Sequence, residues 1–219
     1  MKKNFLVVGV ILWLAVAASA PAPAIATAGV LEDNLATTGG QIYNFQEGDK
    51  RNGSWVSIDY TPGATVTVTA FRHHYIYNAT PLKNQLNFQL IRGENPGVGS
   101  LVATWAVPAA SWNEINTGWT AFGRPVYLCV VPLNPGRNLA ANQRYWFAYQ
   151  SENDQPANVF YWAFRSSIKG AVMWVKLSAS EPWRGIDTLY GRFDGSYRLD
   201  GGYTGVAPSS FGKVKALFR

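Results

Sequence analysis

From Gln41 onward, apolar and polar residues alternate in short runs with a period of two. That is the repeat of an extended strand with one covered and one open face. Leu86, Phe88 and Leu90 fall on one side of such a run, and Asn87 and Gln89 on the other. Tyr145, Phe147 and Tyr149 share a side, with Trp146 opposed, and Leu101, Ala103, Trp105 and Val107 alternate with Val102, Thr104 and Ala106. Further runs cover Gln41–Phe45, Trp55–Tyr60, Thr65–Tyr77, Trp119–Phe122, Pro125–Val131, Asn158–Arg165, Ala171–Leu177, Leu189–Phe193 and Ser196–Leu199. They are rich in β-branched and aromatic residues, and Gly, Asn, Asp and Pro separate them. Asn95-Pro96-Gly97 predicts a type II turn with glycine at positive φ. The pattern gives about ten short strands and no internal helix, and the expected architecture is all-β, a two-sheet antiparallel sandwich of jelly-roll type.

The two ends differ from this body. Lys2 and Lys3 precede the apolar run Phe5–Val16, and small residues follow, the order of a secretory signal peptide. Ala18-Ser19-Ala20 has the small-x-small form, but Pro21 would follow the cut. Ala22-Pro23-Ala24 and Ala26-Thr27-Ala28 suit a peptidase better. Residues 1–28 are therefore assigned to the signal, 29–40 to an Ala/Thr/Gly-rich lead, 41–204 to the sandwich and 205–219 to a tail. In the tail, Phe211, Val214, Leu217 and Phe218 have helical spacing behind a serine cluster, with Lys213, Lys215 and Arg219 beside them. Too short to be a stable free helix, this segment needs a surface to pack on.

Composition fits the expected export. The formal charge is +6, of which the two signal lysines supply two, leaving +4 on the mature chain. No Lys/Arg run suggests nucleic acid, and charged residues are only 15% of the sequence. One cysteine, Cys129, excludes an intrachain disulfide, and its setting in Val126–Val131 is that of a small buried residue.

With the strands placed, the chain resembles a family of extracellular jelly-roll modules in secreted and cell-surface bacterial and archaeal proteins, related in shape to carbohydrate-binding modules. The likeness rests on Asn95-Pro96-Gly97 followed by Gly99-Ser100-Leu101-Val102-Ala103, on Trp119–Phe122 followed by Pro125–Leu128, and on Leu139 with Tyr145-Trp146, and spans residues 41–200. Cys129–Asn138 departs from it as an insertion. The resemblance implies a surface or matrix module with no catalytic residues to carry over. The tail is similar to short C-terminal segments of exported proteins in some Gram-negative lineages, which implies a sorting or docking peptide. Its alternative is a segment packed on its own domain.

Candidate chemistry is aromatic. Of nine tryptophans Trp13 lies in the leader, and most of the other eight should fill the sandwich core, so alternation has to separate the outward ones. Sugars stack their C–H faces on exposed rings, and amides and guanidiniums bind the hydroxyls. Trp162, flanked by Phe160 and Phe164 at two-residue spacing, reads as core. Trp174 shares a face with Lys176, Tyr161 with Arg165, and Tyr190 with Arg192. Trp183 follows Glu181-Pro182 and precedes Arg184 in a loop, and Trp112 and Trp119 also lie in or beside loops. The expected ligand contacts are Trp174, Trp183, Tyr161, Tyr190, Arg165 and Arg192.

His73 and His74 are adjacent and so point to opposite faces of a strand, which separates them as metal ligands. Asp154, Asp187, Asp194 and Asp200 are of the type that suits calcium, but no spacing forms a calcium loop, and solvated turn residues explain them better. No nucleophile elbow, paired carboxylate or Ser/His/Asp order is present. The expected function is therefore non-catalytic binding of polysaccharide or cell-surface glycan, without a cofactor and without nucleic acid. The alternatives are a self-associating subunit of an envelope layer or filament, and a glycan-active hydrolase.

Overall fold

In the computed structural model, the described residues are 29–35, 44–46, 53–77, 85–121, 123–152, 160–165, 170–189 and 194–204, with backbone only for 44–46, 77 and 160–165. The signal segment, the tail and Asp154 lie outside them, as do the side chains of Phe160, Trp162 and Phe164.

The chain forms β1 (Gly29–Asp33), β2 (Asn44–Gln46), β3 (Trp55–Tyr60), β4 (Val66–Tyr77), β5 (Gln85–Arg92), β6 (Ser100–Pro108), β7 (Asn113–Ala121), β8 (Arg124–Leu139), β9 (Tyr145–Glu152), β10 (Phe160–Arg165), β11 (Trp174–Lys176), β12 (Arg184–Gly185), β13 (Asp194–Gly195) and β14 (Tyr197–Tyr203). Among the described residues these make two antiparallel sheets. One has six strands in the order β12-β11-β3-β9-β5-β6. The other has eight, built on the path β1-β14-β4-β10-β13, with β2 on β10, β8 on β4 and β7 on β8. The protein is an all-β sandwich.

The core lies between the sheets. Ile58, Phe88, Leu90, Phe147 and Tyr149 of the six-stranded sheet meet Val66, Val68, Phe71, Tyr75, Val131 and Leu199 of the other. Phe71 is the hub, edge-on to Phe88 at 5.4 Å and stacked on Phe147 at 6.3 Å and on Tyr197 at 6.4 Å. Aromatic pairs at these separations are stabilising beyond their buried area. Tyr197 also crosses the core to donate its hydroxyl to the Asp59 carbonyl at 3.2 Å, and burial raises its pKa far above the usual phenol value. Cys129 is buried, as its setting predicts.

Bulges explain where alternation and structure part. In β4 the inward set changes from Val66 and Val68 to Phe71, His73 and Tyr75, because the ladder to β8 shifts between Val68 and Ala70. Across from that shift Val68 pairs with Arg137 and Ala70 with Pro132, so residues 133–136 oppose Thr69 alone. The segment expected as an insertion, Cys129–Asn138, is thus part of one long strand that pairs with β4 on both sides of a wide bulge at residues 133–136. In β6 the ladder slips at Val102, so Leu101, expected on the buried face with Ala103, is 59% exposed.

Three other expectations change. Gly29–Asp33, read as part of a loose lead, pairs with β14 and extends the sheet. Leu189, read as the start of a strand, caps a 3-10 turn over Ile186–Thr188. Gly97 does not take positive φ. Its turn is held instead by the Asn95 side chain, whose Oδ1 accepts from the amides of Gly97 at 2.9 Å and Val98 at 3.2 Å. A Cβ at Gly97 would stand 3.2 Å from that Asn95 Oδ1 and 3.5 Å, an ordinary contact, from the Trp183 Cβ.

Candidate functional site

The outer face of the six-stranded sheet carries its own small core. Pairing fixes its rows, because residues opposed in an antiparallel ladder share a face. One row runs Trp174, Ser57, Ala148, Gln89, Thr104. A second holds Asn87 between Gln150 and Ala106, with Trp55 opposite Lys176. A third holds Asp59, Trp146, Ile91 and Leu101.

Trp146, Ile91 and Ala148 are buried at the centre, and Trp55, Trp174, Trp183 and Ala171 pack on them while remaining half-buried. Trp146 is fully enclosed, edge-on to Trp174 at 6.1 Å, and donates its indole N–H to the Gly93 carbonyl at 3.0 Å. That bond ties the cluster to the β5–β6 turn, against which Trp183 lies.

Asp59 anchors the far corner. Its carboxylate accepts from the Ala171 amide at 2.9 Å and lies 3.4 Å from the Arg144 Nε. Burial raises its pKa, and the Ala171 amide and Arg144 oppose that rise without cancelling it. Gly170, at φ +80°, presses against the same carboxylate.

Beside the rings, β5 presents amides. Gln85 donates to Asn87 Oδ1 at 2.7 Å and to Glu152 Oε2 at 3.2 Å, and Gln150 donates to the Ser54 carbonyl at 2.8 Å. Gln89 is half-buried between Ala148 and Thr104, and among the described residues its side chain makes no hydrogen bond. It therefore keeps a donor and an acceptor for a ligand. The face thus offers half-open indoles, a row of amides and an uncharged rim at Thr104 and Ala106, suited to C–H/π stacking and hydroxyl binding.

The contacts expected from sequence that fall within the described residues are divided between the two sheets. Trp174 and Trp183 join this cluster. Tyr161 and Arg165 belong to β10 in the other sheet, where the Tyr161 backbone pairs with Ile76 and that of Arg165 with Asp194. Tyr190, Arg192 and the tail residues Phe211, Lys213, Val214, Lys215, Leu217, Phe218 and Arg219 lie outside the described residues. Trp55 and Gln89, which share this face, were not among the contacts expected from sequence. Their alternation was legible, but which strands are neighbours was not.

The adjacent histidines do part to opposite faces. His73 faces the core, with Nε2 3.2 Å from the Tyr149 hydroxyl. His74 faces out, with Nδ1 2.9 Å from Ser196 Oγ and its ring 5.1 Å from Trp119. Burial depresses both, His73 to about 3 and His74 to about 4. Asp194 accepts from Asn34 and its own neighbour Gly195, and Asp200 is held by Arg72 and Arg198. Among the described residues no three His, Cys, Asp or Glu side chains converge as metal ligands.

No known protein family matches the chain, and no curated protein is significantly similar to it.

Proposed function

We propose that this is an exported, non-catalytic β-sandwich protein that binds polysaccharide or extracellular matrix across the outer face of its six-stranded sheet. The observation that carries the reading is the convergence of three half-buried tryptophans, Trp55, Trp174 and Trp183, beside the unengaged amide of Gln89. Neighbouring strands lie about 4.8 Å apart, roughly one pyranose ring, so an extended glycan lying across the strands meets a new side chain at each step. The export signal and the jelly-roll resemblance support a position outside the cell, and the tail fits a sorting role there.

The test is affinity electrophoresis of the mature protein through gels containing single polysaccharides. Trp174→Ala and Gln89→Ala should each weaken retention by the polymer that binds, while the urea unfolding midpoint of Gln89→Ala stays at the parent value. Retention unaltered by both substitutions would remove this face as the site.

A second reading, a subunit of an envelope layer, is favoured by β6. This edge strand has no charged residue from Ser100 to Pro108, and Val98 and Leu101 beside or on it are exposed. Uncharged edges invite strand pairing between copies. Assembly that grows with concentration and is abolished by Thr104→Lys would favour this reading, and a strictly monomeric mature protein would end it.

A further inference from the structure

The loop end of the sandwich next to the tryptophan cluster holds a second feature. A groove of about 520 Å³ is lined by Thr61, Arg92, Glu94, Asn142, Gln143 and Arg144. Three connections meet there: the one leaving β3, the β5–β6 turn and the β8–β9 turn. Backbone hydrogen bonds fix their spacing, from the Asn142 amide to the Pro62 carbonyl at 2.8 Å and from the Gly93 amide to the Arg144 carbonyl at 3.1 Å. Asn142 sits at φ 57°, a conformation asparagine tolerates better than most residues.

The lining carries two guanidiniums and one carboxylate. Arg144 is steadied by the buried Asp59 at 3.4 Å. Among the described residues Arg92 has no carboxylate partner, although Glu94 lines the same groove. Thr61, Asn142 and Gln143 add neutral hydrogen-bonding groups. Guanidiniums beside such groups are the usual means of holding a planar or tetrahedral oxyanion. The groove and the aromatic face share one element. Gly93 lines the groove and accepts the Trp146 indole N–H, and Gly97, in the same turn, packs on Trp183.

We infer that this groove binds an oxyanion substituent, carboxylate or sulfate, on the glycan whose rings lie against the adjacent tryptophan face. The inference rests on the polysaccharide proposal for the polymer that bears the anion. Arg92 and Arg144 supply the attraction, and Glu94 opposes it and sets a ceiling on affinity.

The experiment uses the mature protein in gels containing polygalacturonate, dextran sulfate or unmodified dextran, at several salt concentrations. One or both acidic polymers should retain the protein more strongly than dextran, and added salt should erase the difference. Arg92→Ala should weaken acidic retention about three- to fivefold, the scale of an exposed ion pair. Glu94→Gln should strengthen it, an effect that a merely structural residue would not produce. Preference for polygalacturonate assigns the groove to carboxylate, and preference for dextran sulfate assigns it to sulfate. Equal retention by acidic and neutral polymers, or acidic retention indifferent to both substitutions, overturns the inference. Trp174→Ala separates the two proposals. If it and Gln89→Ala change nothing while Arg92→Ala weakens binding, the aromatic face fails and the groove stands. Free glucuronate and free galactose 6-sulfate, titrated against the backbone amide signals of Gly93 and Asn142, read the groove without any polymer, and absence of a shift there with both also overturns the inference.

Discussion

Replacing Trp146 with phenylalanine separates the floor of the outer-face cluster from its rim. The indole is fully enclosed and donates to the Gly93 carbonyl at 3.0 Å. Loss of that bond costs about 1 kcal/mol, with the carbonyl left under its turn. A phenyl ring lacks two of the indole's carbons, about 1.5 kcal/mol of burial at ~0.8 kcal/mol per carbon. Weakening of the edge-on contact with Trp174 at 6.1 Å removes up to about 1 kcal/mol more. The expected destabilisation is therefore about 3 kcal/mol. In urea, with a slope of about 2 kcal/mol/M, the midpoint should fall by roughly 1.5 M and the slope should hold. Trp174→Phe, at the half-buried rim, should cost less than about 1 kcal/mol. A loss below 1 kcal/mol for Trp146→Phe, or equal losses at both positions, would refute the division into a load-carrying floor and a ligand-facing rim.

Two further outcomes follow from local geometry. Gly170→Ala places a Cβ 2.7 Å from Asp59 Oδ2 at φ +80° and should cost about 2 kcal/mol, seen as a lower thermal midpoint; an unchanged midpoint would contradict that contact. For the histidines, folded pKa values of about 3 for His73 and about 4 for His74 lie below the unfolded value of 6.5. Their stabilising contribution is complete above pH 6.5 and is lost as pH falls through the folded values. His74→Gln should therefore flatten the fall in urea midpoint between pH 7 and pH 4, and a variant with the parent's slope would count against a buried neutral His74.

Much of the sandwich was legible, and the exceptions have physical causes. Leu86, Phe88 and Leu90 face the core while Asn87 and Gln89 face outward, as a period of two requires. Trp146 also falls on the opposite face from Tyr145 and Phe147, yet it is buried, because Trp55, Ala171, Trp174 and Trp183 pack on the cluster it belongs to. Alternation reports which side a residue takes but not what covers that side. The bulge at Val102 breaks the period without any residue type that announces it. The long β8 was hidden because Pro132, Pro135 and Gly136 read as breakers, although a bulge accommodates them. The candidate site was only partly legible for a different reason. Trp55, Trp174 and Gln89 come to share one face through the strand order β11-β3-β9-β5, and long-range order of this kind leaves no local mark.

The most direct measurement of the central claim is NMR shift mapping of the mature protein with a polysaccharide that retains it. The account predicts that the indole N–H signals of Trp55, Trp174 and Trp183 and the side-chain amide of Gln89 move together, while the Trp119 indole on the other sheet stays still. Shifts centred on Trp119 and its neighbours, with the outer face of the six-stranded sheet silent, would contradict it.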